Sequence, residues 1–236
     1  MRFEPIDANG KRYEVKVVAT DLKRMYARVV DGKLVIQMPA SWDRNYAMES
    51  AIKLYERARR FLMRHPERFD RKRMEVRDGM EIRVLGRAFR VSVTENPNSS
   101  SSRARLDGDT VAISLSGRLS QKDRARHAES LLSRTCSKAV LPALADRVNR
   151  TNAEHFRSTL GAIRIRNNTS KWGSCTSRNN LSFSFRLLLL PDDIIDYVIA
   201  HELAHTKVRS HSQRFWAILG SIVPDYKQKR KWLNAH

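Results

Sequence analysis

The string His201-Glu202-Leu203-Ala204-His205 sets two imidazoles four residues apart with a carboxylate between them. On a helix, residues four apart are offset by about 40° around the axis, so both imidazoles project from one face about one turn apart. Two neutral ring nitrogens so placed can bind one Zn²⁺ at about 2.1 Å each. Glu202 follows His201 by one residue, about 100° around the helix, near enough to reach a metal-bound water without ligating the ion. Its expected role is that of a general base, taking a proton from water that the metal has acidified.

A catalytic zinc site needs a third protein ligand and an open fourth position. Asp225, His211, His236 and residues of the strand loops are available, and no glutamate follows Glu202. His211, six residues beyond His205, is the best choice. An unbroken helix would carry it about 80° from His201 and about 120° from His205, so the helix must end soon after Thr206. Zinc enzymes with HExxHxxGxxH spacing place a glycine at that turn; this chain has Val208 there, so the turn is made differently. Ser212 is expected to cap a new helix through Phe215, Trp216, Ile218 and Leu219, with Gly220 ending it and the two aromatics packing behind the site. Burying a glutamate and two histidines without a partner is costly, and one bound ion per chain accounts for all three. His65, His127, His155 and His236 are isolated and read as solvated or structural.

The elements that must position this site follow from the surrounding pattern. Pro191 opens a helix whose first turn holds Asp192 and Asp193, favourable to the helix dipole, and which runs through Ile194, Ile195, Val198 and Ile199 into the histidines. Upstream, strands are expected over 162–166 and 181–187, joined by a loop through Lys171-Trp172-Gly173-Ser174-Cys175. A helix is expected from Lys138 to about Thr159 despite Pro142.

The front half carries an internal repeat. Gly10-Lys11-Arg12-Tyr13-Glu14-Val15-Lys16-Val17 aligns with Gly86-Arg87-Ala88-Phe89-Arg90-Val91-Ser92-Val93, and the same spacing brings Asp31-Gly32 onto Asp107-Gly108. Each Asp-Gly reads as a hairpin turn before an alternating run, Leu34-Ile36-Met38 or Val111-Ile113-Leu115. A helical stretch follows in both copies, from about Ala47 to Leu62 and around Ala128-Leu131-Leu132. The inferred unit is strand, loop, strand, helix, present twice. The Ser-rich stretch 96–102 reads as a flexible loop. The expected division is 1–70, 71–137 and 138–236.

Composition bounds the rest. The 236 residues are 41% hydrophobic and 30% charged, a globular balance. No apolar run approaches the roughly 20 residues of a membrane helix, and the N-terminus lacks a signal-peptide core, so a cytoplasmic location is expected. Cys136 and Cys175 form no disulfide framework and read as buried small side chains. The net charge of +20 favours phosphates or acidic partners. It is spread, with 25 basic against 16 acidic residues before Leu119 and 20 against 9 from there on. A polypeptide substrate and a nucleic-acid partner are both compatible with it, and a membrane is not expected.

The last third resembles the YgjP-like metallopeptidases through Lys171-Trp172-Gly173-Ser174-Cys175-Thr176-Ser177, Asn180-Leu181, Arg186-Leu187, Ile195-Asp196-Tyr197-Val198-Ile199, the histidine string, His211-Ser212, Arg214-Phe215-Trp216 and Pro224-Asp225-Tyr226. Its third histidine ahead of Phe-Trp is also similar to the broader SprT and Spartan group, some of which cleave proteins crosslinked to DNA. The resemblance implies an α+β, zincin-like fold, a small sheet against the active-site helix, with His201, His205 and His211 as ligands and Glu202 as acid/base. It also implies an edge strand that aligns an extended peptide; Leu181, Ser182 and Phe183 are the expected substrate-binding residues, while Trp172 and Cys175 brace their loop. The family ordinarily has one strand-strand-helix unit ahead of this part, whereas two are read here. The expected function is a zinc metallopeptidase. The alternative is a nucleic-acid-associated protein, either a DNA-linked protease or a binding module with a structural zinc, against which Glu202 speaks because a structural ion needs no acid/base.

Overall fold

The computed structural model describes residues 3–8, 10–30, 32–64, 74–168 and 171–235. Asp31, His65 and His236, named above, lie outside the described residues, as does the expected boundary at 70/71. The chain divides into two compact units, Met1–Lys72 and Arg73–His236.

The first unit holds β1 (Ile6–Ala8), β2 (Lys11–Thr20), β3 (Tyr26–Val30), β4 (Lys33–Pro39) and α1 (Arg44–Arg64). The sheet order is β1-β2-β4-β3, with β2 and β4 parallel and the other pairs antiparallel. Gly32, just ahead of β4, takes a positive φ of 73°, which glycine adopts without strain. One sheet face buries Ile6, Tyr13, Leu34 and Ile36 against Ala51, Tyr55 and Leu62 of α1.

The second unit opens with β5 (Glu81–Val84), β6 (Arg87–Asn96), β7 (Arg103–Asp107) and β8 (Thr110–Ser116), in the same order, β5-β6-β8-β7. Each of these sheets therefore holds four strands rather than two. The additional strands are short or run into a hairpin, where alternation alone is a weak signal. The Ser-rich stretch is tied down rather than free: Ser116 donates its amide to Ser102 Oγ and its own hydroxyl to the Ser99 carbonyl, at 2.9 and 2.6 Å.

Helix α2 (Gln121–Thr151) is capped by Ser120, whose hydroxyl accepts from the Asp123 amide. It runs unbroken through Pro142, so the two helices expected on either side of residue 137 are one. The boundary expected at 137/138 thus falls inside α2. Its buried residues Leu132, Cys136, Val140 and Leu144 belong to one core with Val91, Ile113, Phe183 and Ile199. A short π-turn (Asn152–Phe156) ends in a left-handed Arg157, φ 48°.

A three-stranded sheet follows, β9 (Ile163–Arg166), β10 (Gly173–Cys175) and β11 (Leu181–Ser184), in the order β10-β11-β9. The strand expected over 181–187 stops at Ser184, where a 3₁₀ turn (Phe185–Leu189) begins. The Ser184 hydroxyl accepts from the Arg186 amide there, which turns the chain out of the sheet. Helices α3 (Asp192–Ala204), α4 (Gln213–Ile222) and α5 (Tyr226–Ala235) complete the unit. Helix α4 passes through Gly220, expected to end it, and the absent Cβ there leaves room for Tyr226, 3.2 Å from where that carbon would sit. No helix among the described residues is long and apolar enough to cross a membrane.

Candidate metal centre

Helix α3 is apolar on most sides, with Ile195, Val198, Ile199, Ala200 and Leu203 buried. Its first turn is fastened by Arg147 of α2, which donates to Asp196 and Asp192, both at 2.6 Å, and to the Asp192 carbonyl at 2.9 Å. This fixes the rotation of the helix, and with it the direction of the imidazoles one and two turns further on.

The helix ends at Ala204 with His205 as its cap, and a turn over 205–207 redirects the chain. Backbone bonds from Thr206 to Leu203 and from Lys207 and Val208 to Ala204 close that turn with no glycine. His211 is brought back to His201, the two Nε2 atoms lying 3.0 Å apart. Ligand nitrogens of His201, His205 and His211 all lie within 4.8 Å of one another. Nitrogens sharing one tetrahedral ion at about 2.1 Å stand about 3.4 Å apart, so this set is nearly closed around a single point.

Protonation supports the same use. His205 Nδ1 lies 3.1 Å from the Val208 carbonyl, which leaves Nε2 as the free acceptor when Nδ1 donates. Burial, then the neighbouring His205 and His211, push the His201 pKa down to about 3. Burial also lowers His205 and His211. All three imidazoles are therefore held neutral, the state that binds metal. His201 Nδ1 is buried with no hydrogen-bond partner among the described residues, while its Nε2 faces another imidazole nitrogen. Two such acceptors face each other comfortably only with a proton or a cation between them. Three neutral imidazoles form a donor set suited to Zn²⁺.

Phe215, fully buried, lies behind the three imidazoles with ring centroids 5.0, 4.6 and 4.8 Å from His201, His205 and His211. Trp216 stacks on His211 at 5.5 Å and donates its indole N–H to the His211 carbonyl. Both aromatics thus pack behind the site.

Glu202 is only 6% exposed, and burial raises its carboxyl to about 8, with Lys171 opposing the shift. It lies against β10: a Cβ on Gly173 would sit 2.7 Å from Glu202 Oε1. Leu181, Ser182 and Phe183 lie elsewhere. They form β11, the central strand, paired on one side with β10 and on the other with β9, and Leu181 and Phe183 are buried. A strand hydrogen-bonded on both sides offers no edge, so the expectation that 181–183 form the edge strand is corrected. The edge next to Glu202 is β10. Trp172 O accepts from Ser184 N at the end of β11 and Thr176 N donates to Asn180 O just ahead of it, so by strand alternation the peptide groups of Gly173 and Cys175 turn outward.

Arg209, between the second and third histidines, was not foreseen. It donates to the Thr176 and Ser177 carbonyls at 2.6 and 3.1 Å, to Asn179 Oδ1 at 2.5 Å and to Cys175 Sγ at 3.3 Å. It ties the histidine turn to the β10–β11 turn. Its only sequence signal is a cation at the turn between two histidines.

A family model described as YgjP-like, metallopeptidase domain, matches residues 23–236. Comparison with curated proteins and with solved structures returned no match.

Proposed function

The chain belongs to the YgjP-like metallopeptidase family, and from that premise we propose that it hydrolyses peptide bonds, with one Zn²⁺ held by His201, His205 and His211 and with Glu202 as general acid/base. The observation that carries this reading is the convergence of three neutral imidazoles beside one buried, otherwise unused carboxylate. A bound Zn²⁺ supplies a Lewis acid that polarises the scissile carbonyl and acidifies water.

The chain's own groups do the rest. The outward peptide groups of Gly173 and Cys175 pair with an extended substrate and lay it along β10 as an added strand. Glu202 Oε accepts a proton as the water oxygen attacks the carbonyl carbon, and passes it to the amide nitrogen as the C–N bond breaks. Burial raises this carboxyl to about 8 in the metal-free chain; beside a dication on the imidazoles that rise is opposed and Glu202 stays ionised, ready to accept the proton. The Val208 carbonyl orients His205, and Phe215 limits water behind the imidazoles. A sheet edge beside the histidine helix is what a zincin-like domain provides.

The test uses full-length protein purified without chelator. About one zinc per chain and chelator-sensitive hydrolysis of unfolded casein, restored by zinc, are expected. A zinc-loaded, folded protein that leaves casein, and short peptides in a mixed library, intact would overturn the reading.

A further inference from the structure

The two stretches of chain that flank α3 have an unusual charge pattern. Residues 157–191 contain six arginines and lysines and no aspartate or glutamate, and residues 203–224 contain three and none. These stretches build the three-stranded sheet, the histidine turn and α4, the elements around the metal centre. The carboxylates that lie nearby in sequence are engaged elsewhere. Asp192 and Asp196 pair with Arg147, and Asp193 and Asp225 with Lys229.

Three cations act on the groups of the site. Lys171 is exposed immediately ahead of edge strand β10, and its charge acts on Glu202. Arg209 is held at the far end of β10 by its bonds to the β10–β11 turn, which also carries the exposed Arg178. The Arg230 guanidinium lies 4.9 Å from the centre of the Trp216 ring, the ring that stacks on His211. Arg209 acts electrostatically on His205, and Arg230 on His201 and His211. A divalent cation on three neutral imidazoles adds to this positive field, and Glu202 is the single carboxylate among these groups.

Resting on the peptidase reading above, we infer that the substrate of this site is an acidic polypeptide, with aspartate or glutamate flanking the scissile bond on the stretch laid along β10 between Lys171 and Arg209. A strand added to β10 brings residues on either side of the scissile bond toward these cations, whereas basic flanks meet like charge. The field concentrates acidic chains at the site and disfavours basic ones before any specific contact forms.

The test uses full-length, zinc-loaded protein and three labelled peptides that differ only in having Glu, Gln or Lys at the two positions on each side of one central bond. Binding is read by fluorescence anisotropy and cleavage by product formation, at low and high salt. The Glu peptide is expected to bind about tenfold or more tightly than the Lys peptide, with the ratio shrinking as salt rises. Lys171→Glu and Arg230→Glu should each lower that ratio, with zinc content unchanged. Equal binding of all three peptides, or a preference untouched by both variants, overturns the inference even where cleavage is robust. Tight, salt-sensitive binding of the Glu peptide without cleavage upholds it and counts against the peptidase reading alone.

Discussion

Gly173 leaves open the space that the Glu202 carboxylate fills: a Cβ at residue 173 would come within 2.7 Å of both Cγ and Oε1 of Glu202. The backbone of Gly173 has no positive φ, so the glycine serves this approach and not a turn. The edge strand that is proposed to hold substrate and the carboxylate that is proposed to move the proton are therefore fitted to each other at one atom's width.

Gly173→Ala tests that fit. The backbone accepts alanine, so the fold and the zinc site should survive while the carboxylate is pushed aside. Displacing a catalytic group by about 1 Å costs on the order of 100-fold in rate, so kcat/KM should fall by about that factor with zinc content near one per chain. Full activity in this variant would mean that Glu202 is not the group doing proton transfer.

Glu202→Gln separates chemistry from stability. Hydrolysis should drop by about 10²–10⁴-fold with zinc retained. In chelator-treated protein the same change should also alter the pH dependence of folding. The Glu202 carboxyl is raised from 4.5 to about 8 in the folded state, so between those values the folded chain keeps a proton that the unfolded chain has lost. Stability attributable to this group is present below about 4.5 and is lost as pH rises toward 8. At one pKa unit per 1.36 kcal/mol the loss is on the order of a few kcal/mol. Urea midpoints at pH 5 and pH 8 should diverge more in wild type than in Glu202→Gln; equal divergence would refute the burial argument.

The histidine pair was legible because four-residue spacing on an apolar helix leaves its side chains one face to occupy, and the angular mismatch of His211 called for the helix to end soon after Thr206; it ends slightly earlier, at Ala204. What stayed hidden depended on pairing partners far away in sequence. β10 is three residues of Gly-Ser-Cys with no alternation to betray a strand, so the more hydrophobic 181–184 looked like the edge when it is the centre. Its Leu181 and Phe183 are apolar because they face the core, and the register that buries them is set by β9 and β10 together. The helix through Pro142 was expected, but not its continuity with the helical stretch around Ala128 and Leu132, because a run of small and polar residues, Ser133-Arg134-Thr135, interrupts the apolar pattern between them. The Val208 carbonyl that orients His205 has no side-chain signature at all.

His211→Ala tests convergence on one ion. His201 and His205 come from a single helix, and the third nitrogen arrives only because the turn over 205–207 brings His211 to 3.0 Å from His201. Zinc at about 1,000 times its Kd stabilises a folded protein by about 4 kcal/mol, so wild type should show a clear zinc-dependent rise in Tm. The variant should lose most of that rise, while its Tm in chelator stays near that of wild type, because residue 211 is exposed. An undiminished zinc shift would place the third ligand elsewhere.

The two thiols should behave differently, and neither should matter to the metal. Cys136 is fully buried in the α2 core, and burial pushes its thiol up to about 11. Cys175 sits half-buried on β10 beside Arg209, whose guanidinium offsets part of the burial penalty on its thiolate. A thiolate-directed reagent such as DTNB reacts in proportion to exposure and ionisation. Native protein should therefore release at most one equivalent of product, mapped to Cys175 by peptide analysis, with the second appearing only in denaturant. Cys175→Ser should bind zinc at the wild-type stoichiometry, because three imidazoles already complete the donor set. A loss of zinc in that variant would make the thiol a ligand and displace one of the histidines from the role given to it here.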